Sequence, residues 1–187
     1  MTTQEKNGIT EGVIWKQLLI FFFPILVGSF FQQLYNTVDS VIVGQFVGKE
    51  ALSSVGGSAG QIISLVVGFF TGVSTGATVI ISQYFGAGKK EEIEESLHTA
   101  YAFALVGGLV LGIAGIVFAP QMLLWMNTPE ELIAESVLYV RVYFSGLIFI
   151  FIYNMGAAIL RAVGDSKRPL YYLIVCSVVN IILDLLL

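Results

Sequence analysis

Asp39 and Asp184 stand in stretches that otherwise read as lipid-embedded helix, and Asn180 precedes the second of them by one helical turn. An ionised side chain at membrane depth costs about 2.5–3.5 kcal/mol on insertion scales, so it persists where it faces a cavity or a partner. The three residues therefore point to an ion or substrate pathway, with a structural polar pair as the plainer alternative. Counting back from Asp39 by three, four and seven gives Asn36, Tyr35 and Gln32, all on one helical face. Asn180 and Asp184, four apart, share a face in the same way. Hard oxygen donors of this kind suit an alkali cation, while two carboxylates brought together would share a proton rather than both ionise. These residues do not choose between Na⁺ and H⁺. Gln32 and Tyr35 serve equally well as substrate contacts or as plain interhelical hydrogen bonds.

The elements that must carry these groups are set by composition. The chain of 187 residues is 56% hydrophobic with a mean hydropathy of +0.86 and only 12% charged residues, against about 25% charged in a soluble domain. That excludes an ordinary soluble fold and implies an all-α, polytopic transmembrane helix bundle. A helix needs about 20 mainly apolar residues to cross the hydrocarbon core. Five segments qualify, near 14–43, 52–84, 96–119, 130–160 and 169–187. Lys6, Lys16, Lys89, Lys90, Arg161, Lys167 and Arg168 fall on one side and only Lys49 on the other, so the positive-inside rule predicts a cytoplasmic N-terminus. The first apolar run contains Pro24, lacks a small-x-small cleavage pattern and runs on into Gln32 and Asp39, so it is expected to stay in the membrane.

Within these segments the local signals are specific. Pro24 cannot donate to the carbonyl of Ile20, which predicts a kink or unwinding in the first helix, static or hinging. Gly56, Gly60, Ser64, Gly68, Gly72 and Gly76 form a small residue at every fourth position, a pattern that lets helices approach closely; Gly108 and Gly112 read alike. Thr128-Pro129-Glu130-Glu131 predicts an N-cap, a proline at N1 and a capping-box glutamate at N3. Arg141, inside the fourth segment, is expected to play a structural electrostatic role or to snorkel. Cys176 reads as a small buried apolar side chain, and His98 lacks the ligands for a metal site. Measured along their helices, Asp39 lies about 35 Å from Lys16 and Asp184 about 24 Å from Arg168. That mismatch of about two turns requires a kink, tilt or a first helix that starts below the membrane. No nucleophile elbow, zincin, P-loop or dinucleotide motif is present, so an enzyme is not expected, nor a cofactor, nor a nucleic-acid partner. Any pumping must then draw on an ion gradient.

Several strings in order resemble the multidrug and toxic compound extrusion (MATE) family: Pro24 followed by Gln32-Gln33-Leu34-Tyr35-Asn36-Thr37-Val38-Asp39 and Gly44, then Ser82 to Lys90, then Leu160 to Pro169, then Asn180 with Asp184. The resemblance implies a twelve-helix antiporter of two six-helix lobes that opens alternately to each side of a bacterial inner membrane. It further implies that Asp39, Asn180 and Asp184 form the N-lobe cation site and that Pro24 is a hinge, while Gln32, Tyr35 and Asn36, on the face of Asp39, are the substrate-binding candidates. The coupling ion would be Na⁺ or H⁺, with no metal beyond a Na⁺ at that site. Cargo would be amphipathic organic compounds, often cationic drugs, and the partners would be membrane lipids and a C-terminal lobe. The chain stops inside an apolar run, and helix six and the second lobe are expected beyond it. The alternatives are a related flippase for a lipid-linked precursor, or a non-transporting five-helix membrane subunit.

Overall fold

The computed structural model describes residues 13–47 and 49–186, with side chains for 13–45 and 53–183. Every element among them is helical: α1 (Ile14–Ile42), a π turn (Val43–Val47), α2 (Lys49–Gly56), α3 (Ser58–Gly86), α4 (Lys90–Trp125), α5 (Glu130–Ser145), α6 (Leu147–Ala162) and α7 (Lys167–Leu186). Three helices are long and apolar enough to span a bilayer, at Ile14–Gln45, Ser53–Gly86 and Lys90–Trp125, and the α5–α6 pair makes a fourth, broken span.

The break corrects the single helix expected over 130–160. The Ser145 hydroxyl donates to the Val142 carbonyl at 2.6 Å, the acceptor that the Gly146 N–H would use in a continuing helix. Gly146 instead donates to Tyr143 O at 3.1 Å, and the two halves meet at 49°. A side chain that competes for a backbone acceptor is a common cause of such bends. The bend seats Phe144 and Ile148 against the glycines of α4. An ideal Cβ on Gly108 would lie 2.9 Å from Ile148 Cα, one on Gly112 3.0 Å from Phe144 O, and one on Gly115 would overlap the Phe144 ring. No larger residue fits this seam.

The capping box at Thr128 does not form. Pro129 is itself the cap, its ψ of 140° keeps it extended, and the helix starts at Glu130 without a side-chain cap. Thr128 Oγ1 is buried with no hydrogen-bond partner among the described residues. Pro120, expected in a connector, lies inside α4. Arg141 explains how: its Nε donates to the Ile116 carbonyl at 3.2 Å, the acceptor that an N–H at position 120 would have served.

The buried core belongs to α3, α4, α5 and α6. Phe70 is 1% exposed and stacks between Phe151, at a centroid distance of 3.5 Å, and Phe103 at 5.8 Å; such ring pairs add about 0.5–1.5 kcal/mol each beyond their area. Ile81, Ala104, Leu123, Val140, Leu147 and Met155 extend this core along the bundle. In contrast, α1 packs chiefly on α7, with Leu18, Phe22, Phe23 and Phe30 exposed. Exposed apolar side chains of this kind suit a lipid surround.

Tight turns close the bundle at its basic end. Gly88 (φ +71°) and Gly164 (φ +91°) terminate α3 and α6 in the left-handed region that favours glycine. Asp165 Oδ1 accepts from the Lys167 and Arg168 N–H groups at 3.1 Å each, capping the start of α7.

Candidate functional site

Asp39 lies near the end of α1, the helix that packs chiefly on α7. The two helices run parallel: a Cβ on Gly28 would touch Leu173 Cδ2 at 3.5 Å and Leu170 Cδ1 at 3.6 Å, and further along Tyr35 lies within electrostatic reach of Cys176. Asp39 follows Gly28 by about 16 Å, which puts it level with residues 181–184 of α7. The depth mismatch inferred from charged ends thus vanishes, because α1 begins about 14 Å before the start of α7. Pro24 and Gly28 are the buried residues of α1, and both lie on this stretch. The helix runs through Pro24 with no break; its irregularity comes later, in the π turn at Val43–Val47, where the Val43 N–H reaches both Asp39 O and Ser40 O.

Asp39 and Asn180 each bury their Oδ1 atom, and Asn180 Oδ1 has no hydrogen-bond partner among the described residues. An amide oxygen removed from solvent without a donor costs about 1–3 kcal/mol, so it fits a site that receives a cation or a proton donor. Asp184 lies in α7 by its backbone, and its carboxylate falls outside the described side chains. No group of three or more His, Cys, Asp or Glu capable of holding a metal occurs among the described residues. Gln32 and Asn36 are exposed and Tyr35 half-buried, one turn apart on the same face as Asp39.

The structure adds residues that sequence reasoning did not place here. Tyr139 of α5 lies within electrostatic reach of Asp39, and Tyr143 within reach of both Tyr139 and Tyr35. The Tyr139 and Tyr143 rings are 6.4 Å apart. Their spacing of four on one helix was visible in the sequence, but nothing there said which neighbour they face. Cys176 is exposed rather than buried. The arrangement is a carboxylate with buried amide oxygen across one helix seam and an aromatic wall on a third helix. Such a wall presents π-faces and phenol groups, to which organic cations bind.

The MatE family model matches residues 24–186. The chain belongs to the MatE family. Among curated MatE relatives, it is 32% identical over 183 residues to the probable multidrug resistance protein YoeA of Bacillus subtilis (strain 168), covering 98% of this chain and 39% of that protein. It is 33% identical over 177 residues to the probable multidrug resistance protein YpnP of the same organism, covering 93% and 39%. The crystal structure of MATE in complex with MaD3S matches with a TM-score of 0.89 at 25% identity, over 98% of this chain and 41% of that one. This MatE chain therefore spans about two fifths of the length of the relatives it matches.

Proposed function

We propose that this chain is part of the N-terminal lobe of a cation-coupled exporter, in which Asp39, Asn180 and Asp184 bind Na⁺ or H⁺ and the surface formed by Gln32, Tyr35, Asn36, Tyr139 and Tyr143 meets an amphipathic organic cation. The observation that carries this reading is the buried, unpartnered Asn180 oxygen in α7, in the part of the helix that lies level with Asp39. A cation between α1 and α7 satisfies that oxygen and neutralises the carboxylate in the same event. Competition follows: an ion that occupies Asp39 removes the negative charge that would hold a cationic drug near the tyrosines. The relatives' names, as probable multidrug resistance proteins, agree with such cargo. The basic residues flanking α3, α6 and α7 support a cytoplasmic N-terminus in a bacterial inner membrane, and a second lobe would complete the path across it. Flipping of an anionic lipid-linked precursor fits less well, because the one charge described in this seam is negative.

The test is drug efflux from cells expressing the protein at its native length, with ethidium as the reporter. Asp39→Asn is expected to lower the efflux rate more than tenfold with normal membrane expression, and Asn180→Ala to raise the ion concentration needed for half-maximal rate. Imposing a Na⁺ gradient and a pH gradient separately on vesicles identifies the coupling ion. Full efflux by Asp39→Asn under both gradients would falsify the mechanism.

A further inference from the structure

Near the basic end of the bundle lies a second polar site, independent of the Asp39 seam. Thr71, Ser74, Thr75, Thr78 and Ser82 recur at helical spacing along one face of α3, and Asn154, Ala158 and Arg161 do the same on α6. Together with Phe21 and Ile25 of α1 they line a cleft of about 410 Å³. The cleft exists because α1 packs on α7 and leaves α3 and α6 largely uncovered on this side.

Its hydrogen bonds divide the lining into two kinds. Thr71, Thr75, Thr78 and Ser82 donate to carbonyls of their own helix, at Val67, Thr71, Ser74 and Val79. They make a polar floor whose donors are already used. Ser74 is different: it is only 4% exposed, and its Oγ has no hydrogen-bond partner among the described residues. Asn154 uses one amide hydrogen on Ile150 O and keeps the other. Arg161 is half-buried in the last turn of α6 and forms no ion pair among the described residues. The nearest acid along the chain, Asp165, is committed to Arg168 at 3.1 Å and to the α7 cap. Unmatched donors therefore converge from two helices: a planar guanidinium, a buried hydroxyl and an amide N–H. No carboxylate lines the cleft.

We propose that this cleft binds a phosphate oxyanion, with Arg161 gripping two of its oxygens and Ser74 and Asn154 donating to the group from opposite helices. Arginine's fork matches phosphate geometry, and the charge-assisted bonds are the strong ones of their kind. Two sources carry that chemistry, the headgroup of an anionic phospholipid and a soluble phosphate ester. The lipid reading has the better geometry, since Arg161 lies in the last turn of its span and Phe21, Ile25 and Ala158 offer an apolar bed for the start of an acyl chain. A lipid here would wedge α1 away from α3.

The test uses native mass spectrometry and thermal unfolding of the delipidated protein at its native length. Phosphatidylglycerol should bind and raise the unfolding temperature, dioleoylglycerol of the same chain length should do neither, and Arg161→Gln should weaken phosphatidylglycerol about tenfold. Arg161→Lys, which keeps the charge and loses the fork, should recover part of the affinity, and Ser74→Ala should weaken it by a smaller factor. Inorganic phosphate at millimolar concentration that displaces the lipid and gives the same stabilisation would assign the site to a soluble phosphate. Equal binding of phosphatidylglycerol and dioleoylglycerol, or unchanged binding in both Arg161→Gln and Ser74→Ala, overturns the proposal. Asp39→Asn should leave phosphatidylglycerol binding unchanged, so a failure here is separable from a failure of the coupling site.

Discussion

Two glycine ladders, written in nearly the same pattern, meet different fates. In α4, Gly108, Gly112 and Gly115 lie against the bent α5–α6 pair so tightly that an added methyl would strike Ile148 or Phe144. In α3, a methyl on Gly60 would strike the Val55 carbonyl of α2, but one on Gly68, Gly72 or Gly76 would meet nothing within 4 Å. The sequence motif is therefore permissive, not instructive: small residues allow close approach, and a partner with the right bend must still be there to make it. The α4 ladder meets Phe144 and Ile148 because the chain bends by 49° at Gly146.

The largest effect that tests this contrast is expected at the closed ladder. Gly115→Ala and Gly108→Ala should each destabilise the protein by about 1–3 kcal/mol through overpacking, read as a lower unfolding temperature in detergent. A similar loss, about 1–3 kcal/mol, is expected for Arg141→Met, which strands the Ile116 carbonyl. Pro120→Ala restores an N–H to that carbonyl, so Arg141→Met should cost clearly less in that background. A double-mutant cycle with no coupling would dismiss the Arg141 link. At the open ladder, Gly72→Ala should be neutral or stabilising by up to about 1 kcal/mol, the helix-propensity gain alone. If it instead matches Gly115→Ala in the native-length protein, another surface covers α3 there. Smallest of all is the solvated start of α4. Glu92, held below the ordinary glutamate value by its backbone hydrogen bond and by Lys89 at 3.1 Å, should titrate by NMR below an unperturbed glutamate. Its contribution to stability is full above the unfolded-state value and fades as pH falls through the lowered one, and Glu92→Gln should barely move the unfolding temperature.

Much of the molecule was legible before any coordinates. Hydropathy and length announce a helix bundle, because a lipid solvent leaves the backbone few other options. The polar face of α1 and the Asn180–Asp184 spacing were equally plain. What stayed hidden depended on relations between helices. The register of α1 against α7 could not be counted from charged ends, since Gly28, not Lys16, is the point of contact. Tyr139 gave no hint of lying within electrostatic reach of Asp39, and the hydroxyl face of α3 was overshadowed by the glycines interleaved with it. The break at Gly146 has no proline to announce it, and the Thr128 capping box failed on one backbone angle at Pro129. Such choices are small in energy and settled by packing.

The attachment of α1 has a mechanical meaning. Its side wall is α7, while the Phe70, Phe103 and Phe151 stack ties α3, α4 and α6 together without it. None of its three rings belongs to α1 or α7, so the stack does not depend on how that pair is placed.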